Sequence, residues 1–231
     1  MNDIALSKDK LYQVSRAHQR YKTADGMIVP SVTTALYILN KPQLVSWANK
    51  LGLEGIDSNE YTKAAARIGT LVHAMIEAYL LNNEIDLADY SENEIDQAQT
   101  GYVKFIEWKK EHEFNLVHAE QQFVSEEHKY GGTIDCLAYI DGALTLLDFK
   151  TGKAIYDEYF YQLSAYEGLL KENGFSVANV TILRIGRDEE EGFETRTLKA
   201  NSSKLKNDFE IFKSCLHIYN LKKTKYTEKE I

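Results

Sequence analysis

Proline and cysteine are scarce, with two of each in 231 residues. So little proline excludes a collagen-like, mucin-like or proline-rich disordered chain. Two cysteines form at most one disulfide, and Cys136 and Cys215 lack the paired spacing of a zinc site. Cys136 lies in an apolar run and Cys215 in a helical pattern, so both read as buried free thiols of a reducing, cytoplasmic compartment. No apolar run approaches the ~18 residues that span a bilayer. The opening MNDIALSKDK lacks a signal peptide's hydrophobic region, so neither membrane insertion nor secretion is expected. There is no P-loop of the form G-x-x-x-x-G-K-S/T, which excludes a nucleotide cofactor held in that way. Positive charge is also in deficit: 27 Lys and Arg against 35 Asp and Glu leave −8 with His neutral. That balance argues against a surface coated for phosphate, but a short basic groove can coexist with an acidic exterior.

What is present suits a globular chain, with 44% apolar and 27% charged residues. At about 150 residues per domain the length favours one elaborated domain. Asp25-Gly26 marks a hairpin within 19–29. Ser31 caps a helical pattern through 39, and a second helix covers about 42–50. Residues 60–82 and 91–113 carry apolar positions at three- and four-residue spacing, and Ser91 with Glu94 fits a capping box. Then the texture changes. Segments 115–124, 133–140 and 143–150 read as strands, the last two joined at Asp141-Gly142. A helix at about 157–173 ends at Gly174, strands follow at 178–185 and 193–199, and a helix closes the pattern from 202 to 221. This order predicts a mixed α/β sandwich with a helical N-terminal elaboration. The expected layout is one domain over 1–231: mainly helical to 113 after a short hairpin, a β-sheet core over 114–200, then a helix and tail.

The chemistry gathers at the third strand pair. Asp135 and Asp148 face each other across the hairpin, and period-2 alternation puts Asp148 and Lys150 on one face. An acid inside TLLDF is costly to bury unless its charge is offset. For an isolated D-x-K the ordinary explanation is a buried Asp148–Lys150 salt bridge. Two carboxylates and an ammonium also make a site for a divalent cation and an activated water. Gly131-Gly132 allows close backbone approach beside this strand. Gln162 and Tyr166 stand at i and i+4 on the following helix, hence on one face. His73 sits among apolar residues of GTLVHAMIE, a setting in which a histidine is ordinarily a satisfied core residue.

The series His73, G-G-x-x-D at 131–135, D-F-K-T at 148–151 and Q-x-x-x-Y at 162–166 resembles the RecB-like branch of the PD-(D/E)XK nuclease superfamily. The order and the helix–hairpin–helix placement match over about 60–185. Val29-Pro30-Ser31-Val32-Thr33-Thr34 and Leu44 to Trp47 are similar to the N-terminal helices of phage and prophage exonucleases. The resemblance implies a restriction-endonuclease-like mixed sheet flanked by helices. It implies a nuclease of phage or prophage type, serving recombination or replication by exonucleolytic cleavage of linear DNA. Asp135, Asp148, the backbone carbonyl of Phe149 and His73 would ligate Mg²⁺ or Mn²⁺. Lys150 would orient or help deprotonate the attacking water, and Gln162 and Tyr166 would position the metal-bound centre or the DNA backbone. Glu120 stands where some relatives carry an additional acid, and where a sheet-edge charge would stand equally well. Glu77, one turn after His73, reads as solvated or supporting. Without four suitably placed cysteines, no iron–sulfur cluster is expected.

Several other residues carry weaker expectations. Arg67, Lys104, Lys109 and Lys110 would line a DNA groove or simply form a solvated helix face. Tyr156, Tyr159, Phe160 and Tyr161 would stack on bases or pack the helix start. Lys222-Lys223-Thr224-Lys225 reads as a disordered tail that could touch phosphate. The reading is compatible with homo-oligomerisation and with a recombination or replication protein as partner. An endonuclease of the same fold and a non-cleaving DNA- or protein-binding module remain as alternatives.

Overall fold

The computed structural model describes residues 11–12, 20–186, 188 and 190–224. In chain order the elements are β1 (Leu11–Tyr12), β2 (Tyr21–Lys22), β3 (Ile28–Val29), α1 (Val32–Leu36), α2 (Pro42–Leu53), α3 (Ser58–Leu81), β4 (Glu84–Ile85) and α4 (Glu92–Lys110). They continue with β5 (Phe114–Ser125), β6 (Tyr130–Ile140), β7 (Ala143–Lys150), α5 (Asp157–Glu172), β8 (Asn179–Ile185), β9 (Phe193–Lys199) and α6 (Ser203–Lys223). The central sheet has the order β5-β6-β7-β8-β9. Only β7 and β8 run parallel; the other neighbours are antiparallel. A parallel pair needs a crossover, and α5 supplies it. The expected mixed sheet flanked by helices is the architecture found.

Local chemistry sets the element ends. Ser31 accepts the N–H of Thr34 and Ser202 that of Leu205, while Ser91 and Glu94 complete a reciprocal capping box. Asp141 and Gly142 both take positive φ, 50° and 79°, as a two-residue hairpin turn demands. The helix at α1 stops at Leu36, short of the expected 39, whereas α6 runs on to Lys223. Lys222 and Lys223 are therefore helical, contrary to the expected disordered tail; Lys225 lies outside the described residues. Sequence pattern did not disclose the two-residue parallel pairing of β1 with β4.

Helices α1, α5 and α6 cover one sheet face, around Leu137, Leu146 and Ile182. Helices α3 and α4 cover the other, around Cys136, Leu147 and Leu183. The run Leu144 to Phe149 is apolar on both faces save Thr145 and Asp148, because β7 is a central strand with helices on each side. By length and composition α3 would suffice to cross a membrane, but half of its most apolar window is buried inside the protein. Its buried residues begin at Ile68, so its first ten residues project from the sheet together with α2. Cys136 and Cys215 are buried free thiols, as expected.

Candidate active site

The pleat breaks where the chemistry is. Strict alternation along β6 would place Ile134 with Cys136. Instead, Ile134 and Leu137 share the α5–α6 core, while Cys136 and Ala138 face α3 and α4. Asp135 stands at this slip. Opposite it on β5, between the pairs Ala119–Cys136 and Gln121–Ile134, Glu120 adopts φ 47°. A left-handed backbone is uncommon outside glycine and costs energy unless its surroundings enforce it. The β6–β7 ladder ends at Cys136–Leu147, and past that rung the Asp135 carboxylate accepts the Phe149 N–H at 2.8 Å.

His73 reaches this irregularity from α3. Its Nδ1 lies 3.5 Å from Asp135 Oδ2, and its ring meets Phe149 edge-on with centroids 5.8 Å apart. His73, Glu120 and Asp135 each offer one ligand atom, all within 4.8 Å of one another. Asp148 does not join them at that separation. It lies deeper, 1% exposed, with Lys150 Nζ 2.6 Å from its Oδ2. That contact is an ion pair without hydrogen-bond geometry, and among the described residues neither buried Asp148 oxygen nor His73 Nδ1 has a hydrogen-bond partner. Buried polar atoms left in this way require an explanation. Two carboxylate oxygens and an imidazole nitrogen suit a divalent cation, so the residues present fit one. The ordinary readings of the two segments fare differently. Asp148 and Lys150 do form the buried pair, whereas His73 faces Asp135 from α3 with its Nδ1 buried.

From Lys150 a chain of hydrogen bonds leads to α5: its Nζ donates to Gln162 Oε1 at 3.1 Å, and Gln162 Nε2 donates to Tyr166 Oη at 2.9 Å. The i and i+4 spacing of Gln162 and Tyr166 predicted that they share a face. Lys150 also lies over the Tyr159 ring, 5.0 Å from its centroid. The two glycines of β6 make room for neighbouring rings. A Cβ on Gly131 would come within 2.4 Å of Tyr21, and one on Gly132 within 2.6 Å of Tyr166.

Burial pushes Asp148 up to about 6 against the pull of Lys150. Burial also raises Asp135, but the His73 and Lys150 charges and the Phe149 N–H outweigh it and hold that carboxyl below the usual range. For Lys150, burial favours the amine; Asp148 and Asp135 prevail, so the ammonium is kept. Burial drives Tyr166 well above the ordinary phenol value, so its hydroxyl stays protonated.

These groups meet at a cleft of about 700 Å³ whose walls sequence reasoning had not supplied. Arg20 and Tyr21 come from the first hairpin, Thr33 and Thr34 from α1, and Tyr219 and Lys223 from the end of α6. Tyr21 Oη lies 2.8 Å from Thr133 Oγ1, tying the hairpin to β6. Thr33 and Thr34 had figured only in the likeness of Val29-Pro30-Ser31-Val32-Thr33-Thr34, and Lys223 only as a tail residue that could touch phosphate.

Three groove candidates fall elsewhere. Lys104 is buried, and its ammonium donates to the carbonyls of Asp188 and Glu191, clasping the β8–β9 connection. Arg67 binds Glu94 and the Asp89 carbonyl and covers the Tyr90 ring, joining α3 to α4. Lys109 lies over the Tyr79 and Phe114 rings. Glu77 is buried, not solvated. In the aromatic cluster Phe160 is core, while Tyr156 is half exposed.

A putative exonuclease from Eubacterium rectale is similar at 13% identity over 70% of this chain and 69% of its own, with a TM-score of 0.44. The alkaline exonuclease LHK-Exo from Laribacter hongkongensis is similar at 7% identity over 68% and 86%, with a TM-score of 0.38. No curated protein sequence matches. The family model for the PD-(D/E)XK nuclease superfamily matches residues 47–227, well over half of the chain. The chain therefore belongs to the PD-(D/E)XK nuclease superfamily.

Proposed function

We propose that the protein is a divalent-metal-dependent deoxyribonuclease, with Mg²⁺ or Mn²⁺ as cofactor, that degrades linear DNA from an end. It acts as a single nuclease domain in phage or prophage recombination or replication. A cytoplasmic location accords with its two free thiols. The observation that carries this reading is the gathering of His73, Glu120 and Asp135 beside a buried Asp148 that accepts no hydrogen bond among the described residues. His73, Glu120 and Asp135 would hold the cation as they stand, and Asp148 and the Phe149 carbonyl would complete its shell by moving toward it. When bound, such a cation lowers the pKa of a water and neutralises charge developing on the phosphate.

The remaining roles belong to the chain's own groups. Lys150 keeps its proton and is fixed between Asp148, Gln162 and the Tyr159 ring. An ammonium so held can orient the attacking water and offset the charge of a phosphate oxygen. Gln162 fixes the amine's direction, and Tyr166, protonated by burial, fixes Gln162. Glu120 earns its place through its strained backbone directly opposite Asp135, which supports a ligand over a sheet-edge charge.

End dependence follows from charge and shape. A net charge of −8 gives little non-specific grip on internal duplex, because that grip scales with the phosphates neutralised. End-labelled linear DNA and covalently closed circles, each with Mg²⁺ or Mn²⁺, test this directly. Linear DNA should be degraded progressively, closed circles should survive, and activity should fall steeply as salt rises. Linearisation of circles at a matching rate would make the protein an endonuclease of the same fold. Binding without cleavage of either form would make it a non-cleaving module.

His73 gives a separate check. As a ligand, His73→Ala should raise the metal concentration needed for half-maximal cleavage at least tenfold, with little change in melting temperature. A loss of several degrees with unchanged metal dependence would return His73 to the core.

A further inference from the structure

The catalytic cleft does not end at Lys223. A second groove, of about 620 Å³, runs along the seam between α1 and α6 and shares Thr33, Thr34, Tyr219 and Lys223 with the cleft. Beyond these shared residues it is walled by Tyr37, 90% exposed, by Ile38 and by Lys222. An aromatic ring so exposed contributes nothing to the core. Lys223 Nζ lies 4.6 Å from the centroid of the Tyr219 ring, so that an ammonium and a π-face are presented together. Lysines in a last helical turn are ordinary complements to the helix dipole. What distinguishes these two is their place. They stand at the mouth of the reaction cleft, no acid lines the seam, and among the described residues neither pairs with a carboxylate.

We infer that the α1–α6 seam is a track for single-stranded polynucleotide, carrying the strand that leads to or from the catalytic cleft. Ring faces that accept any base and lysines that accept phosphates are the two components of sequence-tolerant single-strand binding. Thr33 and Thr34 form the shared wall, their hydroxyls held by Ser31. The depth of the reacting groups leads to the same occupant. With Asp148 1% exposed, a scissile phosphate has to descend into the cleft. A single strand can descend, whereas a duplex must first unpair, at a cost of a few kcal/mol. The seam then offers the freed strand a place to lie, on a protein whose net charge of −8 would otherwise repel it.

This inference rests on the nuclease reading, so its test uses binding without cleavage. Fluorescence anisotropy in EDTA would compare a twelve-nucleotide labelled oligothymidylate with a blunt duplex of equal length. The wild type should hold the single strand at least tenfold more tightly. Tyr37→Ala should weaken single-strand binding about fivefold or more, as loss of one stacking platform does. Lys222→Ala with Lys223→Ala should flatten the dependence of log affinity on log salt by about 1.4, for two phosphates no longer neutralised. Both sites are at the surface, and an unchanged circular dichroism melt would show that the fold persists. Wild-type affinity in Tyr37→Ala, or a duplex bound as tightly as the single strand, would overturn the track. Metal-dependent cleavage of bis-p-nitrophenyl phosphate, too small to reach the seam, reports on the nuclease reading separately. If that small diester is cut while Tyr37→Ala binds normally, the track alone fails. If the diester is not cut, the nuclease reading fails.

Discussion

Replacing Asp148 by Asn should abolish cleavage while leaving the metal-free protein as stable as the wild type, or more stable. A ligand lost from the centre removes both water activation and charge neutralisation, so turnover should drop by about a thousandfold or more. The stability expectation follows from linkage. Asp148 has its carboxyl raised from an ordinary 3.8 to about 6. Its ionised form therefore opposes folding: the penalty is absent below about pH 4 and complete above about pH 6. At neutral pH a neutral Asn escapes that penalty, and Asp135 remains to hold the Lys150 ammonium. The melting temperature in EDTA should thus hold or rise by several degrees. Added Mn²⁺ should stabilise the wild type and leave the variant unmoved. Turnover above a tenth of wild type would overturn the assignment. A clear fall in melting temperature would instead make Asp148 a structural salt-bridge partner.

Lys150→Met should fail in the opposite way, losing activity and stability together. Removing the ammonium that fixes or protonates in the reaction costs about 10²–10⁴ in turnover. It also leaves Asp148 buried without its partner, a loss typically of about 3–5 kcal/mol. That deficit should shrink as pH falls, because the isolated carboxyl takes a proton and stops opposing the fold. Urea unfolding at pH 7.5 and pH 5 would read this directly. The double variant Asp148→Asn/Lys150→Met should regain most of the stability and none of the activity. Equal loss of stability at both pH values would mean that Lys150 contributes packing and not charge compensation.

Much of this site was legible because its spacing rules are local. Period-2 alternation puts Asp148 and Lys150 on one face, and i, i+4 spacing aligns Gln162 with Tyr166. The structure joins those four groups through Lys150. The strands at Ala143–Lys150 and Phe193–Lys199 begin and end where their flanking turns predict. What was hidden depends on distant partners. Lys104 resembles any lysine on a helix until the backbone of Asp188 and Glu191 folds over it. Arg67 is claimed by Glu94 and Tyr90, on and just before the next helix. Glu120 could be a ligand or an edge charge by pattern alone. The left-handed turn that marks it arises only where the β5–β6 pairing skips a rung. The walls of the cleft were invisible for the same reason, since Tyr21, Thr34 and Lys223 meet only after the two ends of the described chain come together.

The crossover at α5 sets the order in which a growing chain acquires its chemistry. By the time residue 150 is made, His73, Glu120, Asp135, Asp148 and Lys150 all exist, so the cation-gathering half of the site can assemble on the β5–β7 meander. Gln162 and Tyr166 belong to a helix that is held against the sheet only when β8 has zipped alongside β7 and α6 has packed behind it. That pairing needs Asn179–Ile185, which are made after Lys150. A nascent chain would therefore be able to gather metal before it could aim its lysine. The geometry that would aim the lysine is therefore completed from the C-terminal side of the crossover, by β8 and α6.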